Sequence, residues 1–287
     1  MAGVAARGSP EIRAVLAACG PRSARRPIGP AGAAVLHANR DVAVTPAWLQ
    51  WLSIASLILG AACAVWIAFD EWRRPQHMRI MNVVWPVTAL FASVLAVWGY
   101  LRYGRLATHE RAMPAMERGE MPPHMRETSF PAMVAKGTTH CGSGCTLGDI
   151  AAEWLALAFP TIAIWFGWQS LFEHKTFAVW ILAYIFALAF GLAFQFWSIR
   201  PMRNLSVRRG LIEAAKADVL SLTAWQIGMY GFMAVAHFYI FRTLLGAPLP
   251  VASPEFWFMM QIAMLVGFVT SYPLNWWLLR AGIKERM

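Results

Sequence analysis

The sequence has few charged residues and few cysteines, and each shortage excludes a class of protein. Charged side chains make up 14% of the 287 residues, whereas hydrophobic side chains make up 58%. A soluble domain of this length carries more charge, so the composition predicts an integral membrane protein. The four cysteines include Cys19 near the start and Cys63 in an apolar segment, a scatter that excludes a disulfide framework.

Several motifs are also missing from the sequence. It contains no Gly-rich nucleotide loop, Walker lysine motif, Ser-His-Asp pattern or H-E-x-x-H motif. This argues against transport driven by an ATPase of its own. The net charge of +10 comes from basic residues between apolar segments, without the interleaved aromatics of a nucleic-acid surface. We therefore expect a lipid bilayer and no nucleic acid as partner.

Six apolar segments are each close to the ~20 residues that span a bilayer. They are Trp48–Phe69, Ile80–Tyr100, Ile150–Phe172, Phe177–Ile199, Ala215–Phe241 and Glu255–Leu279. The pattern predicts an all-α integral membrane protein with six transmembrane helices and a C-terminal four-helix bundle.

These segments divide the chain into four regions. Residues 1–46 form a basic arm without an apolar core and are predicted to be disordered. A transmembrane hairpin over 47–100, a cytoplasmic linker over 101–137 and a four-helix membrane domain over 138–287 follow. The loop between the second and third predicted spans is rich in residues that bind soft metals or form adaptable apolar contacts: His109, Met113, Met116, Met121, His124, Met125, Met133 and His140.

The distribution of basic residues predicts the orientation. Cytoplasmic loops carry an excess of Lys and Arg. With six spans, one side of the membrane holds only Arg73, Arg74, Arg79, Lys175 and Arg242, and all other basic residues fall on the other side. We therefore expect a multi-pass protein of the bacterial cytoplasmic (inner) membrane with both termini in the cytoplasm.

The stretch from Thr139 to Glu153 concentrates reactive side chains. His140, Cys141 and Cys145 are separated only by small residues. We interpret the stretch as a Gly-rich turn before a membrane helix, with Thr146 as N-cap. A helix N-terminus favours the thiolate, which is the form that binds metals. The alternative is a tight turn in which the cysteines are merely small apolar residues.

Polar and sulfur-containing residues recur at helical spacing inside the predicted spans. They are Asp149, Glu153, Asp218, Gln226, Met229, Met233, His237, Met260, Gln261, Met264 and Asn275. Polar groups are costly in hydrocarbon and usually face a bundle interior, so we expect a polar seam between the helices. The alternative is that methionines and amides only hold the helices together.

Three hypotheses about function follow from these residues. The first is binding or transport of a soft metal ion such as Cu(I), because thiolates and thioethers select it. His140, Cys141 and Cys145 would capture copper, and a path would be lined by Met229, Met233, His237, Met260 and Met264. The second is a thiol redox protein that exchanges electrons with a quinone or a partner disulfide through Cys141 and Cys145. The third is a structural membrane protein without catalytic activity.

The second half of the chain resembles a bacterial integral-membrane family known as a domain of unknown function. The resemblance rests on His-Cys-Gly-Ser-Gly-Cys-Thr-Leu-Gly-Asp (140–149), Pro-Met-Arg (201–203), Ala-Asp-Val-Leu-Ser-Leu-Thr (217–223), Gln-Ile-Gly-Met (226–229), Met-Met-Gln-Ile-Ala-Met (259–264) and Thr-Ser-Tyr-Pro-Leu-Asn-Trp-Trp-Leu (270–278) with Gly-Ile-Lys (282–284). It covers about residues 138–287. It implies a four-helix membrane domain and no particular activity.

Overall fold

The computed structural model describes residues 45–203 and 206–284, which are mostly helical. Most of the predicted basic arm therefore lies outside the described residues. In chain order the helices are α1 Ala47–Arg73, α2 Met81–Gly99, α3 His109–Glu117, α4 Pro123–Arg126, α5 Phe130–Ala158, α6 Thr161–Trp165, α7 Lys175–Arg203, α8 Val207–Ala234 and α9 Pro254–Arg280. The helix α2 continues as a π-helical turn (Tyr100–Gly104) and a 3-10 turn (Arg105–Ala107), and α8 continues as a π-helix (Val235–Leu244).

Five helical stretches of the described residues are long and apolar enough to cross a membrane. They are Ala47–Arg73, Met81–Ala107, Lys175–Ser198, Asp218–Leu244 and Pro254–Arg280. Large apolar side chains such as Trp51, Val65 and Val269 are exposed on these helices, as side chains that face lipid would be. The chain therefore has the character of a multi-pass membrane protein, as predicted.

The third predicted span differs from the structure. We expected a helix over Ile150–Phe172, whereas α5 runs from Phe130 to Ala158. Pro160 follows the end of α5, and its missing N–H group cannot continue the backbone ladder. Hydropathy does not identify the first half of α5 as a membrane helix, because its residues are small or polar and are buried against other helices.

The stretch Met81–Ala107 does not run straight. Its backbone breaks at Ser93, which has a positive φ of 44°. The Trp85 and Tyr100 rings lie 5.7 Å apart, face to edge. A straight helix would separate these two residues by more than ~20 Å. The second half of the stretch therefore folds back along the first as a helical hairpin, which we call the α2 hairpin.

Contacts at the base of the α2 hairpin fix its two ends side by side. The His77 backbone N–H donates to the Ala107 carbonyl at 2.8 Å. The Asp70 carboxylate, near the end of α1, accepts from the Tyr100 hydroxyl at 2.7 Å and from the Arg105 guanidinium at 2.8 Å. The hairpin thus enters and leaves the bundle at the same end, where α1 ends.

The remaining helices define two ends of the bundle. We call one of them the basic end: α1, α7 and α9 end there, and α5 and α8 begin there. At this end the Tyr272 hydroxyl of α9 donates a hydrogen bond to Pro131 O of α5. Nearer the other end, the Ser56 hydroxyl of α1 donates to Gln261 of α9 at 2.7 Å, so α1 and α9 run parallel. The start of α1 and the end of α9 lie at opposite ends of the bundle. Six crossings with both termini on one side therefore stay a prediction, and the return of the α2 hairpin to its starting end favours one crossing fewer.

The helix α5 occupies the centre of the bundle and packs against α2, α7, α8 and α9. Its closest approach is to α7, where a Cβ added at Gly144 would lie 2.9 Å from the Gly191 backbone nitrogen. A Cβ added at Gly148 would lie 2.5 Å from the Ala187 nitrogen. Small residues at this spacing let helix backbones approach closely in membranes.

Candidate functional site

The cysteine motif lies within a helix, in contrast to the predicted turn. Residues 140–149 occupy the middle of α5. The Thr146 hydroxyl donates to Gly142 O, four residues earlier, at 2.8 Å, so Thr146 is an interior residue and no N-cap. The glycines serve helix packing, because Trp225 of α8 fills the space beside Gly142. The signal for this was the spacing Gly144-x-x-x-Gly148-x-x-x-Ala152, which is typical of packed membrane helices.

His140 is directed away from the two cysteines. Its Nε2 atom lies 3.0 Å from the Ser198 hydroxyl of α7, and its ring packs edge-on against Phe194 at 6.0 Å. The Cys141 thiol instead contacts the carboxylate of Asp218 on α8. The structure therefore does not bring His140, Cys141 and Cys145 together as one set of ligands.

Cys141 belongs to a buried ion network at the basic end. The Lys284 ammonium lies 2.7 Å from the Cys141 sulfur, 2.8 Å from Asn275 Oδ1 and 3.2 Å from Gly137 O. The Asp218 carboxylate is 3.9 Å from the same ammonium group. Lys284 was not among the predicted site residues, because a basic residue after the last span is usually a headgroup contact.

A line of ionisable side chains extends from this network along one face of α5. Cys141, Cys145, Asp149 and Glu153 follow at intervals of four residues, and all four side chains are buried. Such residues stack one turn apart, about 6 Å along the axis. We call these four residues the α5 column. The column brings together two predicted metal ligands, Cys141 and Cys145, and two acids of the predicted polar seam, Asp149 and Glu153. This arrangement does not by itself identify a function.

The middle of the α5 column contains polar atoms without partners. Within the described residues, Asp149 Oδ2 and both amide atoms of Gln226 on α8 are buried and have no hydrogen-bond partner beyond each other. The predicted seam residue Gln261 behaves differently, because its Oε1 accepts from Ser56 and its Nε2 donates to Leu90 O at 2.6 Å. Gln261 therefore ties helices together, whereas Asp149 and Gln226 have unused hydrogen-bonding capacity.

The column reaches a cavity at the end opposite the basic end. A cavity of about 90 Å³ is lined by Glu153, Lys175, Met233 and His237, among others. His237 also lines a second, more open cavity of about 550 Å³, together with His174 and Arg242. The carboxyl end of the α5 column thus borders open space, while its thiol end borders the Lys284 network.

Sulfur atoms surround the middle of the bundle. Cys145 shares one hydrophobic cluster with Met229, Met233, Met260 and Met264, and all are buried. The Thr146 hydroxyl lies 3.6 Å from the Met264 sulfur. The described residues contain no group of three or more His, Cys, Asp or Glu side chains that could hold a metal ion. Any metal site here would depend on thioethers.

The Met/His-rich segment does not join this sulfur cluster. Met116 and Met121 are exposed, whereas Met133 is buried at the start of α5. The His77 and His109 rings lie 6.2 Å apart at the base of the α2 hairpin. These side chains are dispersed along α3, α4 and α5 rather than converging on one point.

Residues 132–284, more than half of the chain, match the model of a family described as Domain of unknown function (DUF4396). This range includes α5, α7, α8 and α9 and therefore the whole α5 column with its network. No curated protein and no solved structure matches the chain. The match gives neither an activity nor a number of membrane helices.

Proposed function

The chain belongs to the family Domain of unknown function (DUF4396), and we propose that it binds a cation and moves it across the membrane along the α5 column. The observation that carries this proposal is the column itself. Two thiols and two carboxylic acids lie one turn apart on a buried face of the central helix. Ionisable groups within membrane bundles are costly and mark ion or proton pathways.

The unpaired atoms distinguish this proposal from a purely structural role. A polar side chain that only joins helices has its hydrogen bonds satisfied, as Gln261 does. Asp149 Oδ2 and the Gln226 amide, buried with no partner beyond each other, leave capacity for a cation and its remaining waters. The cavity beside Glu153 and His237 supports access to the column from the end opposite the basic end.

Cu(I) is the cargo that we propose. Thiolate and thioether ligands select Cu(I) over harder ions. Cys145 would supply a thiol, and Met229, Met260 and Met264, which belong to the same hydrophobic cluster, would supply thioethers. Met233 of the same cluster would extend this set toward His237. His140 has no part in this proposal, because its ring is engaged with Ser198.

The thiol redox alternative receives less support. Side chains four residues apart on a helix have Cβ atoms about 5–6 Å apart. A disulfide needs Cβ atoms at about 3.5–4.5 Å, so Cys141 and Cys145 could bond only if α5 distorted. Both thiols are free in the structure.

We further propose that the basic end faces the cytoplasm of a bacterial inner membrane. Among the described residues, Lys175 and Arg242 are the basic residues at the opposite end. All others, including Arg73, Arg74 and Arg79 beside the α2 hairpin, lie at the basic end or near it. By the positive-inside rule this asymmetry favours a cytoplasmic basic end.

Cu(I) binding under reducing conditions tests the cargo. Purified protein would compete with a coloured Cu(I) chelator, with Cys145→Ser and Met264→Leu as the site variants. Cys63→Ser is the matched control, since Cys63 lies on α1 outside the column. We expect binding by the wild type and the control and at least about tenfold weaker binding by Cys145→Ser. Absence of binding by the wild type, or equal binding by Cys145→Ser, would reject copper.

Cation flux into proteoliposomes tests the column. Asp149→Asn keeps the shape of the side chain but removes its charge, and Glu110→Gln is the control at an exposed acid of α3. We expect Asp149→Asn to slow Cu(I) flux while Cu(I) binding at Cys145 persists. Flux through Asp149→Asn equal to that of the wild type would rule out the column as the path.

A further inference from the structure

Another cavity lies apart from the α5 column, between the α2 hairpin and the helices α5 and α9. Its volume is about 290 Å³, and its walls are almost wholly apolar. The lining includes Trp85, Phe91, Leu95, Leu265 and Phe268. Leu95 and Trp98, at its edge, are exposed on the surface of the bundle that would face lipid. A hydrocarbon chain could therefore enter the cavity from the bilayer.

One charged side chain lines this apolar cavity. Lys136 of α5 is 5% exposed, and it makes no ion pair or side-chain hydrogen bond with any residue that the structure describes. The other buried lysine, Lys284, has three partners within 3.2 Å. A buried ammonium group without a counter-ion is strongly unfavourable. Lys136 is thus a cation beside an apolar cavity with no counter-ion among the described residues.

The position of Lys136 along α5 fits the headgroup region of a membrane. It lies six residues from the first residue of the helix at the basic end, which is about 9 Å. Trp98 and Tyr103 flank the cavity on the returning half of the α2 hairpin. Aromatic residues of this kind mark the level where lipid headgroups meet hydrocarbon.

We propose that this cavity binds one acyl chain of an anionic membrane phospholipid, whose phosphate group pairs with Lys136. The cavity volume is near the lower end of ligand sites, about 300 Å³, which suits one chain rather than two. A zwitterionic lipid would pair less well, because its own cationic headgroup competes with Lys136 for the phosphate. The site is independent of the α5 column, because no column residue lines it.

Fluorescence quenching by brominated lipids tests the site, because Trp85 and Trp98 line the cavity. Full-length protein in nanodiscs would be titrated with phosphatidylglycerol or phosphatidylcholine that carries brominated acyl chains. Lys136→Met removes the charge but keeps the apolar stem, and Arg118→Gln removes an exposed charge at the same end. Ala92→Phe fills the cavity.

We expect the wild type and Arg118→Gln to prefer phosphatidylglycerol by about fivefold, the effect of one cation near a membrane surface. Lys136→Met should lose this preference, and Ala92→Phe should lose cavity quenching by both lipids. Displacement by a free fatty acid would mean that a carboxylate amphiphile occupies the site instead. Equal binding of both phospholipids by the wild type, or an unchanged preference in Lys136→Met, would overturn the proposal.

Discussion

At the scale of single residues, the glycines of the cysteine motif determine how closely the central helices approach. Gly148→Ala would place a Cβ 2.5 Å from the Ala187 nitrogen and 2.7 Å from its Cα, and backbone atoms cannot rotate away. We expect a loss of about 1–3 kcal/mol in the free energy of unfolding, as overpacked cores show. Unfolding in mixed detergent micelles would measure it.

Gly231→Ala is the matched control for this prediction. Gly231 lies in the same kind of helix, α8, but a Cβ added there meets no atom within 4 Å. Alanine should stabilise this position by up to about 1 kcal/mol through helix propensity. If both substitutions changed stability alike, the close α5–α7 contact would not be the reason for Gly148.

The pair Lys284 and Asp218 is buried, so removal of one charge should cost more than removal of both. The side chains are 0% and 2% exposed. Lys284→Met leaves the carboxylate without its cation, and we expect a loss of about 3–5 kcal/mol. Asp218→Asn should cost less, because Lys284 retains Asn275 and Gly137 as partners.

A double-mutant cycle measures the coupling between these two charges. Lys284→Met combined with Asp218→Asn should recover most of the stability lost by Lys284→Met alone. Additive losses would contradict a coupled ion network at this end of the bundle.

At the scale of elements, the sequence indicates most membrane helices but not their functional face. Hydropathy located α1, α7, α8 and α9, because their outer faces are apolar. It misplaced α5 because this helix is surrounded by protein. Its first half therefore has small and polar residues at positions where the outer helices have apolar residues that face lipid. Helical spacing did assign Asp149 and Glu153 to the polar seam, since that depends on their lying on a helix and not on its boundaries.

The α2 hairpin could not be predicted from its sequence. Hydropathy over Met81–Ala107 is continuous, and its break occurs at Ser93, which carries no turn signal of the kind that Gly or Pro provides. The contacts that hold the hairpin are tertiary, such as the Asp70 carboxylate with Arg105. The role of Lys284 could not be predicted either, because it also depends on a tertiary contact. The chain after α9 brings Lys284 back to Cys141 of α5.

The short helix α4 should make stability depend on pH. Burial, with smaller contributions from the positive charges of Lys136 and His77, lowers the pKa of His124 from 6.5 to about 4. The folded protein thus holds His124 neutral where the unfolded chain would bind a proton. Stability from this residue is complete above pH 6.5 and is lost as the pH falls toward 4.

Thermal unfolding between pH 7 and 4 measures this dependence. His124→Gln has no imidazole to protonate, so its melting temperature should fall less over this window than that of the wild type. Glu110→Gln, at an exposed position of α3, should follow the wild type. Identical slopes for wild type and His124→Gln would mean that His124 does not contribute.

At the scale of the whole molecule, the α2 hairpin changes the side of the membrane that we expect for the loop between α1 and α2. Because the hairpin returns to its starting end, Arg79 and Arg118 should lie on the same side of the membrane, and Ser170 on the other. Arg79→Cys, Arg118→Cys and Ser170→Cys, each in a Cys19→Ser/Cys63→Ser background, would be treated with a membrane-impermeant maleimide in intact cells. We expect Ser170→Cys to react at once, and Arg79→Cys and Arg118→Cys only after lysis. If α2 crossed the membrane, Arg79→Cys would react in intact cells while Arg118→Cys stayed protected, so this pair separates a hairpin from a sixth span whichever way the bundle is oriented.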